Sequence, residues 1–272
     1  MEIETHDTLA VLGHPHRLDL FRLLMRRYPD RVPAGELAAS LGIKASTMST
    51  YLAALRRVGL VAQERAGTSL LYSIDMANVR QVFGYLFADC CRGRPDLCLP
   101  FDTGPVPMPV PTKDRKYNVL FICTGNSARS IFAEAILRHF ASDRFEVFSA
   151  GLHPATTVKP EVVSILEGHE IATDGLTPKP FGAVLGEPMD FVFTVCDRAA
   201  NESCPPVPGH PVSAHWSIPD PSASGDRRLA YQRAFSDLYN RIKGFSNLPF
   251  DSLDRRSLQN AVIEIARMEN PS

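Results

Sequence analysis

Residues 117–130 read YNVLFICTGNSARS, and this stretch decides the fold of the larger part of the chain. YNVLFIC is a short continuous apolar run, the pattern of a strand buried on both faces of a parallel sheet. It opens into Cys123, five further residues, Arg129 and Ser130, and then the helical pattern FAEAILRHF. A thiol so placed sits in a loop of backbone N–H groups at a helix start. Thr124, Gly125, Asn126, Ser127 and Ala128, with Arg129 and Ser130, then make a nest for a tetrahedral oxyanion, aided by the helix dipole. The same field is expected to lower the pKa of Cys123 and so supply a nucleophilic thiolate. Arg129 adds a fork of donors, and Asn126 and Ser130 brace the loop and donate to the sulfur.

Downstream, FEVFSAG (145–151), DFVFTVC (190–196) and SAHWS (213–217) read as further strands. Helices are expected at about 130–141, 160–168, 178–186, 226–244 and 254–268. The alternation predicts an α/β domain with a four-stranded parallel, doubly wound sheet and its ligands at the carboxyl ends of the strands. Cys196 ends one strand and Asp220 follows another, so both come within reach of Cys123. A carboxyl group beside a departing oxygen suits a general acid, and Pro221 fixes the loop of Asp220.

Upstream lies LPFDTGPVPMPVP, a proline-rich run that cannot sustain a helix ladder. It marks a semi-rigid linker over 100–116 between a domain at 1–99 and the α/β domain at 117–272. In the first domain Leu9, Leu12, Leu18, Phe21 and Leu24 give an opening helix its buried stripe. Leu37 and Leu41 sit on a short helix closed by Gly42. Ser46 is expected to cap the next helix, with Met48, Leu52 and Leu55 inward. Two short helices about a glycine turn make a helix-turn-helix, and Leu70, Tyr72 and Ile74 alternate after Ala66-Gly67 as a hairpin wing. Ser46, Thr47, Ser49, Thr50 and Tyr51, followed by Arg56 and Arg57, suit base edges first and phosphates last. A final helix at 76–91 carries Val79, Val82, Phe83, Leu86 and Phe87, a stripe suited to core packing and to a homodimer interface alike. Cys90 and Cys91 on its last turn, with Cys98 after Gly93 and Pro95, form three thiolates that favour a soft ion such as As(III).

Composition agrees with two soluble domains. Charged residues are 22% of the 272, no apolar run approaches a bilayer span, and MEIETHD is no signal peptide, so a cytoplasmic protein without a membrane partner is expected. The net charge of −1 conceals an excess of three positive charges over 31–72. Six cysteines without a leader read as working thiols.

Residues 8–99 resemble ArsR-family winged-helix repressors, through LGHPHRLDLFRLL and GELAASLGIKASTMSTYLAALRRVGLV. That likeness implies a homodimer that leaves operator DNA when a metalloid binds. The segment VPAGELA lacks the cysteine pair of many relatives, which leaves Cys90, Cys91 and Cys98 for arsenite. Residues 117–268 resemble the low-molecular-weight tyrosine phosphatase fold and, through VCDRAANESCP and AHWSIPDP, its arsenate reductases. This likeness implies Cys123 as nucleophile, Arg129 as oxyanion binder, Asp220 as acid, and Cys196 with Cys204 as a disulfide relay. Thioredoxin, glutaredoxin or a low-molecular-weight thiol would restore it. No cofactor is required, and some members hold potassium near positions matching Asn126, Glu134 and Ser149. Ser222 stands where phosphatases of the fold place a ring. The combined expectation is an arsenite-responsive repressor fused to an arsenate reductase. Its rivals are a regulator that only binds an oxyanion and a phosphatase fused to a DNA-binding module.

Overall fold

The computed structural model describes residues 5–86, 115–184, 186–202, 207 and 211–267. These fall into two compact units, one on each side of residues 87–114.

The first unit begins with two helices where one was expected, α1 (Thr5–Leu12) and α2 (Pro15–Arg27). Pro15 has no N–H and holds His14 extended, at φ −93° and ψ 127°, so the chain restarts there with proline in the first turn. The break rotates the stripe. Leu20, Phe21, Leu23 and Leu24 are buried, while Leu9 and Leu18 are 45% and 40% exposed. α3 (Ala34–Leu41) closes on Gly42 at φ 63°, a left-handed turn that glycine takes without strain. α4 (Ala45–Arg57) follows and buries Met48, Leu52 and Leu55 completely. Ser46 does not cap it. The capping position is Lys44, with no side-chain bond, and Ser46 is already helical. Arg27, almost fully buried, ties α2 to α3 through Glu36 and also meets Asp30 at 3.4 Å.

The wing is β2 (Val61–Ala66) against β3 (Ser69–Ile74), with Ala66 opposite Ser69 and Gly67 at φ 59° in the turn. A two-residue strand missed by the sequence pattern, β1 (Val32–Pro33), pairs with β3 on the other side. α5 (Met76–Tyr85) is capped by Asp75, which accepts from Ala77 and Asn78 at 3.1 Å each. Val79 and Val82 turn inward, but Phe83 is 51% exposed. Residues 87–91 of the expected helix, and with them Phe87, Cys90 and Cys91, lie outside the described residues, as does Cys98.

The second unit holds one parallel sheet of four strands: β4 (Tyr117–Cys123), β5 (Phe145–Gly151), β6 (Phe191–Thr194) and β7 (Val212–His215), in the order β5-β4-β6-β7. Its helices are α6 (Arg129–Ala141), α7 (Pro160–Gly168), a short α8 (Asp197–Asn201), α9 (Arg227–Ser246) and α10 (Arg255–Ala266). The last two strands are shorter than expected. The helix anticipated at 178–186 shrinks to a 3-10 turn, Phe181–Val184, because Pro178 and Pro180 remove donors at its start. Nor does the linker run unbroken to residue 116. Arg115 pairs with Asp190 at 2.8 Å, and Asn118 N–H donates to the same carboxylate, so the chain is anchored just ahead of β4.

Central β4 is buried from Val119 to Cys123, as a strand covered on both faces must be. Phe121, Phe193 and Trp216 stack beneath it, and the Trp216 indole donates to Val262 O at 3.0 Å. At the outer strand β7, Gln259 from α10 bonds both ladder groups of Ser213, accepting at 3.2 Å and donating at 2.6 Å.

Candidate functional site

At the carboxyl end of β4 the chain leaves the sheet through residues 124–128 and enters α6. Carbonyls along this turn point outward. Those of Cys123, Thr124, Gly125 and Ser127 accept from the N–H groups of Leu152, His153, Ala155 and Lys159 at 3.2, 2.8, 2.8 and 3.0 Å. A trans peptide sets its N–H opposite its carbonyl, so this outer frame turns the amide donors of the loop toward Cys123. Asn126, at φ 44°, donates its N–H to Cys123 Sγ at 3.1 Å. Gly151 makes the frame possible: a Cβ there would stand 2.9 Å from Thr124 O and 3.0 Å from Asn126 N.

Buried side chains fix the polarity of the thiol's surroundings. Lys179 N–H donates to Asn126 Oδ1 at 2.7 Å, which settles the orientation of that amide. Asn126 Nδ2 then donates to Ser130 Oγ at 2.8 Å and to Ser149 Oγ at 2.7 Å. Ser149 gives its own proton to Glu134 Oε2. Ser130 Oγ, which accepts from Asn126, lies 2.9 Å from Cys123 Sγ, so thiol and hydroxyl share a hydrogen bond.

One expectation is overturned. Burial pushes the Cys123 thiol up, and the neighbouring Cys196 adds to the rise; the Ser130 hydrogen bonds and the Arg129 charge oppose both without prevailing. Desolvation of a sulfur only 2% exposed outweighs the field of the loop.

Arg129 and Asp220 meet at 3.1 Å between Nη2 and Oδ2, with a second Arg129 bond to Ile218 O. Asp220 also accepts from Ser222 N–H at 2.9 Å, and Ser222 Oγ lies 3.0 Å from the buried Tyr231 hydroxyl. Cys196, 1% exposed, sits at the start of α8, its sulfur 3.4 Å from Thr124 Oγ1 and accepting from Ala199 N–H. Cys123, Arg129, Ser222, Pro219 and Arg198 line a cleft of about 410 Å³ over the loop. Cys204 lies outside the described residues.

Asn126, Glu134 and Ser149 do come together, but they do not fit a potassium ion. The Glu134 carboxylate already faces the Arg138 guanidinium and the Lys179 ammonium, the latter at 3.2 Å. The Ser149 and Asn126 oxygens accept hydrogen bonds already. Lys179, Gly151 and the 152–159 frame escaped the sequence reading. Their signal was a glycine ending a strand, then prolines at 154, 160, 178 and 180 at the same edge of the sheet.

The sequence profile of the low molecular weight phosphotyrosine protein phosphatases matches residues 118–258, more than half of the chain. The chain belongs to that family. Within this phosphatase family some of the similar proteins are named for another reaction. An arsenate reductase of Shouchella clausii (strain KSM-K16) is 36% identical over 132 residues, 47% of this chain and 94% of that protein. One of Bacillus cereus (strain G9842) is 33% identical over 133 residues, 49% of this chain and 96% of that one. The crystal structure of an arsenate reductase from Archaeoglobus fulgidus DSM 4304 matches at 28% identity, 46% of this chain, 95% of that chain and a TM-score of 0.39. This family member also carries a helix-turn-helix domain, matched over residues 12–64.

In that domain Ser46, Ser49, Thr50, Arg56 and Arg57 are exposed along α4, and Thr47 and Tyr51 are half-buried. Ser49 and Thr50 donate to the carbonyls of Ala45 and Ser46, one helical turn back, and Arg56 reaches Gln63 of β2. Among the described residues no helix is long and apolar enough to cross a membrane.

Proposed function

We propose that the chain is a bifunctional arsenic-response protein, a thiol-dependent arsenate reductase joined to an arsenite-responsive repressor. The observation that carries the first half is the second buried thiol: Cys196 stands beside the phosphate loop, against Thr124, where a hydrolase needs only water. The arsenate reductases of Shouchella clausii and Bacillus cereus, 36% and 33% identical, support the same reaction.

Arsenate enters as a dianion, and its own oxygen takes the proton of the raised Cys123 thiol. The thiolate attacks arsenic while Asp220, freed from Arg129 and protonated by solvent, gives that proton to the departing oxygen, which leaves as water. Arg129 exchanges the Asp220 carboxylate for the oxyanion, and the loop amides hold the charge. Cys196 then attacks the Cys123 sulfur. A disulfide forms, the sulfur–arsenic bond breaks, and its electron pair stays on arsenic, which departs as As(III). Cys204 attacks Cys196 in turn, freeing Cys123 and leaving a Cys196–Cys204 disulfide for thioredoxin, glutaredoxin or a low-molecular-weight thiol. Ser222, held on Tyr231, offers no ring to grip a phenol, which favours a small oxyanion.

For the second half, α4 and the wing bind operator DNA through Ser46, Thr47, Ser49, Thr50, Tyr51, Arg56 and Arg57, and arsenite at Cys90, Cys91 and Cys98 releases it. A homodimer through the first domain is supported by the apolar exposure of Leu9 and Phe83.

Cys196→Ser tests the relay. Turnover with a thiol reductant is expected to vanish while arsenate still binds, and mass mapping of the wild type should find Cys196–Cys204 after one turnover. Full activity in the variant would sink the relay; aryl-phosphate hydrolysis at a rate above arsenate reduction would favour a phosphatase.

A further inference from the structure

The geometry points to Lys179 as a positioning residue, a built-in cation that organises the phosphate loop and makes it independent of monovalent metal ions. The inference rests on the reading that the loop binds a tetrahedral oxyanion. Glu134 is the reason a cation is needed there. Its carboxylate is only 2% exposed, and a buried charge is tolerated only with a partner and hydrogen bonds.

Two cations reach it, and they differ in what else they hold. Arg138 lies one turn along the same helix, with a side chain 42% exposed, and touches only the carboxylate in this network. Lys179 comes from a separate segment and engages the site three ways. Its ammonium stands 3.2 Å from Glu134, its N–H sets the Asn126 amide at 2.7 Å, and its carbonyl accepts from Gly151 N–H at 2.8 Å. Pro178 and Pro180 flank it. The first lacks a donor and has a fixed φ; the second keeps Lys179 extended. The backbone is therefore stiff where the three contacts converge.

From the ammonium a single chain of bonds runs through Glu134, Ser149, Asn126 and Ser130 to Cys123. The links from Glu134 to Ser130 have one polarity: Ser149 donates to Glu134, and the Asn126 amide, fixed by Lys179, donates to both serines. The ammonium holds Glu134 against Ser149, and through Ser149 and Asn126 it places Ser130 beside the sulfur. The oxygens that would ligate a potassium ion are spent within this network.

The test measures binding of inorganic phosphate by the full-length protein in potassium, sodium and tetramethylammonium salts of equal ionic strength. Wild-type affinity is expected to agree within about twofold across the three, well under the tenfold that 1.4 kcal/mol would produce. Lys179→Met is expected to weaken binding at least about tenfold in tetramethylammonium, with part recovered in potassium, and Lys179→Arg to stay near wild type. Potassium strengthening wild-type binding several-fold over tetramethylammonium would overturn the proposal, and so would Lys179→Met binding as tightly as wild type. The wild-type salt series and Lys179→Arg decide the matter even if Lys179→Met does not fold. Phosphate binding absent from the wild type in every salt would remove the oxyanion reading itself.

Discussion

The two helices that begin at functional turns, α6 and α4, solve recognition in opposite ways. α6 is buried from Ser130 to Leu137, and the turn before it presents backbone amides whose carbonyls are tied down from outside. α4 instead presents hydroxyls and arginines to solvent. A small ion is met by main chain that cannot be mutated away, and a long polymer by side chains that can be changed one at a time. The first arrangement should fail abruptly when its frame is disturbed, and the second should fail by degrees.

Between the two recognition turns, the largest expected effect is on the side chain that the oxyanion nest cannot replace. Arg129→Lys loses the planar fork, and arsenate kcat/KM should fall about 100-fold or more in steady-state assays with a thiol reductant. A drop of only a few-fold would mean that the amides alone carry recognition. Gly151→Ala comes next. Its added carbon meets Thr124 O and Asn126 N at 2.9 and 3.0 Å, both backbone, so the frame must shift. Such overpacking costs about 1–3 kcal/mol in denaturant melts, and turnover should fall with it although no reacting group has changed. A fully active, equally stable variant would show that the frame does not set the loop.

A pH series separates burial from field at Cys123. Since burial raises this thiol, its alkylation by iodoacetamide should climb with pH through an inflection above that of a free cysteine, and phosphate should protect it. An inflection below the free value would put the loop amides and Arg129 ahead of desolvation. The smallest effects belong to α4. Arg56→Ala and Arg57→Ala should each weaken operator binding modestly and reduce the salt dependence by about one unit of slope, uniformly across sequences. A change in sequence preference without a change in slope would place that arginine on a base instead.

What could be read in advance follows the same division. YNVLFICTGNSARS declared the strand, the loop and the helix, because burial on both faces and a thiol five residues before arginine are local patterns. The inner face of α4 was equally legible, as Met48, Leu52 and Leu55 repeat at helical spacing. Long-range partnerships were not. Nothing near Asn126 announces that Lys179, 53 positions later, fixes its amide. Leu9 and Leu18 misled because one proline re-phased the helix between them. The thiol of Cys123 misled because a motif shows donors but not how much water a fold removes.

The Gln259 amide on Ser213 bears on how the sheet is closed at its outer strand. A parallel sheet ending at β7 offers its last row of main-chain groups to any extended peptide, including the same strand of another copy. One side chain, matched donor to acceptor and acceptor to donor, answers the ladder as a neighbouring strand would. The edge is thereby closed at that position of β7: a strand pairing there must displace α10's glutamine from both bonds at once.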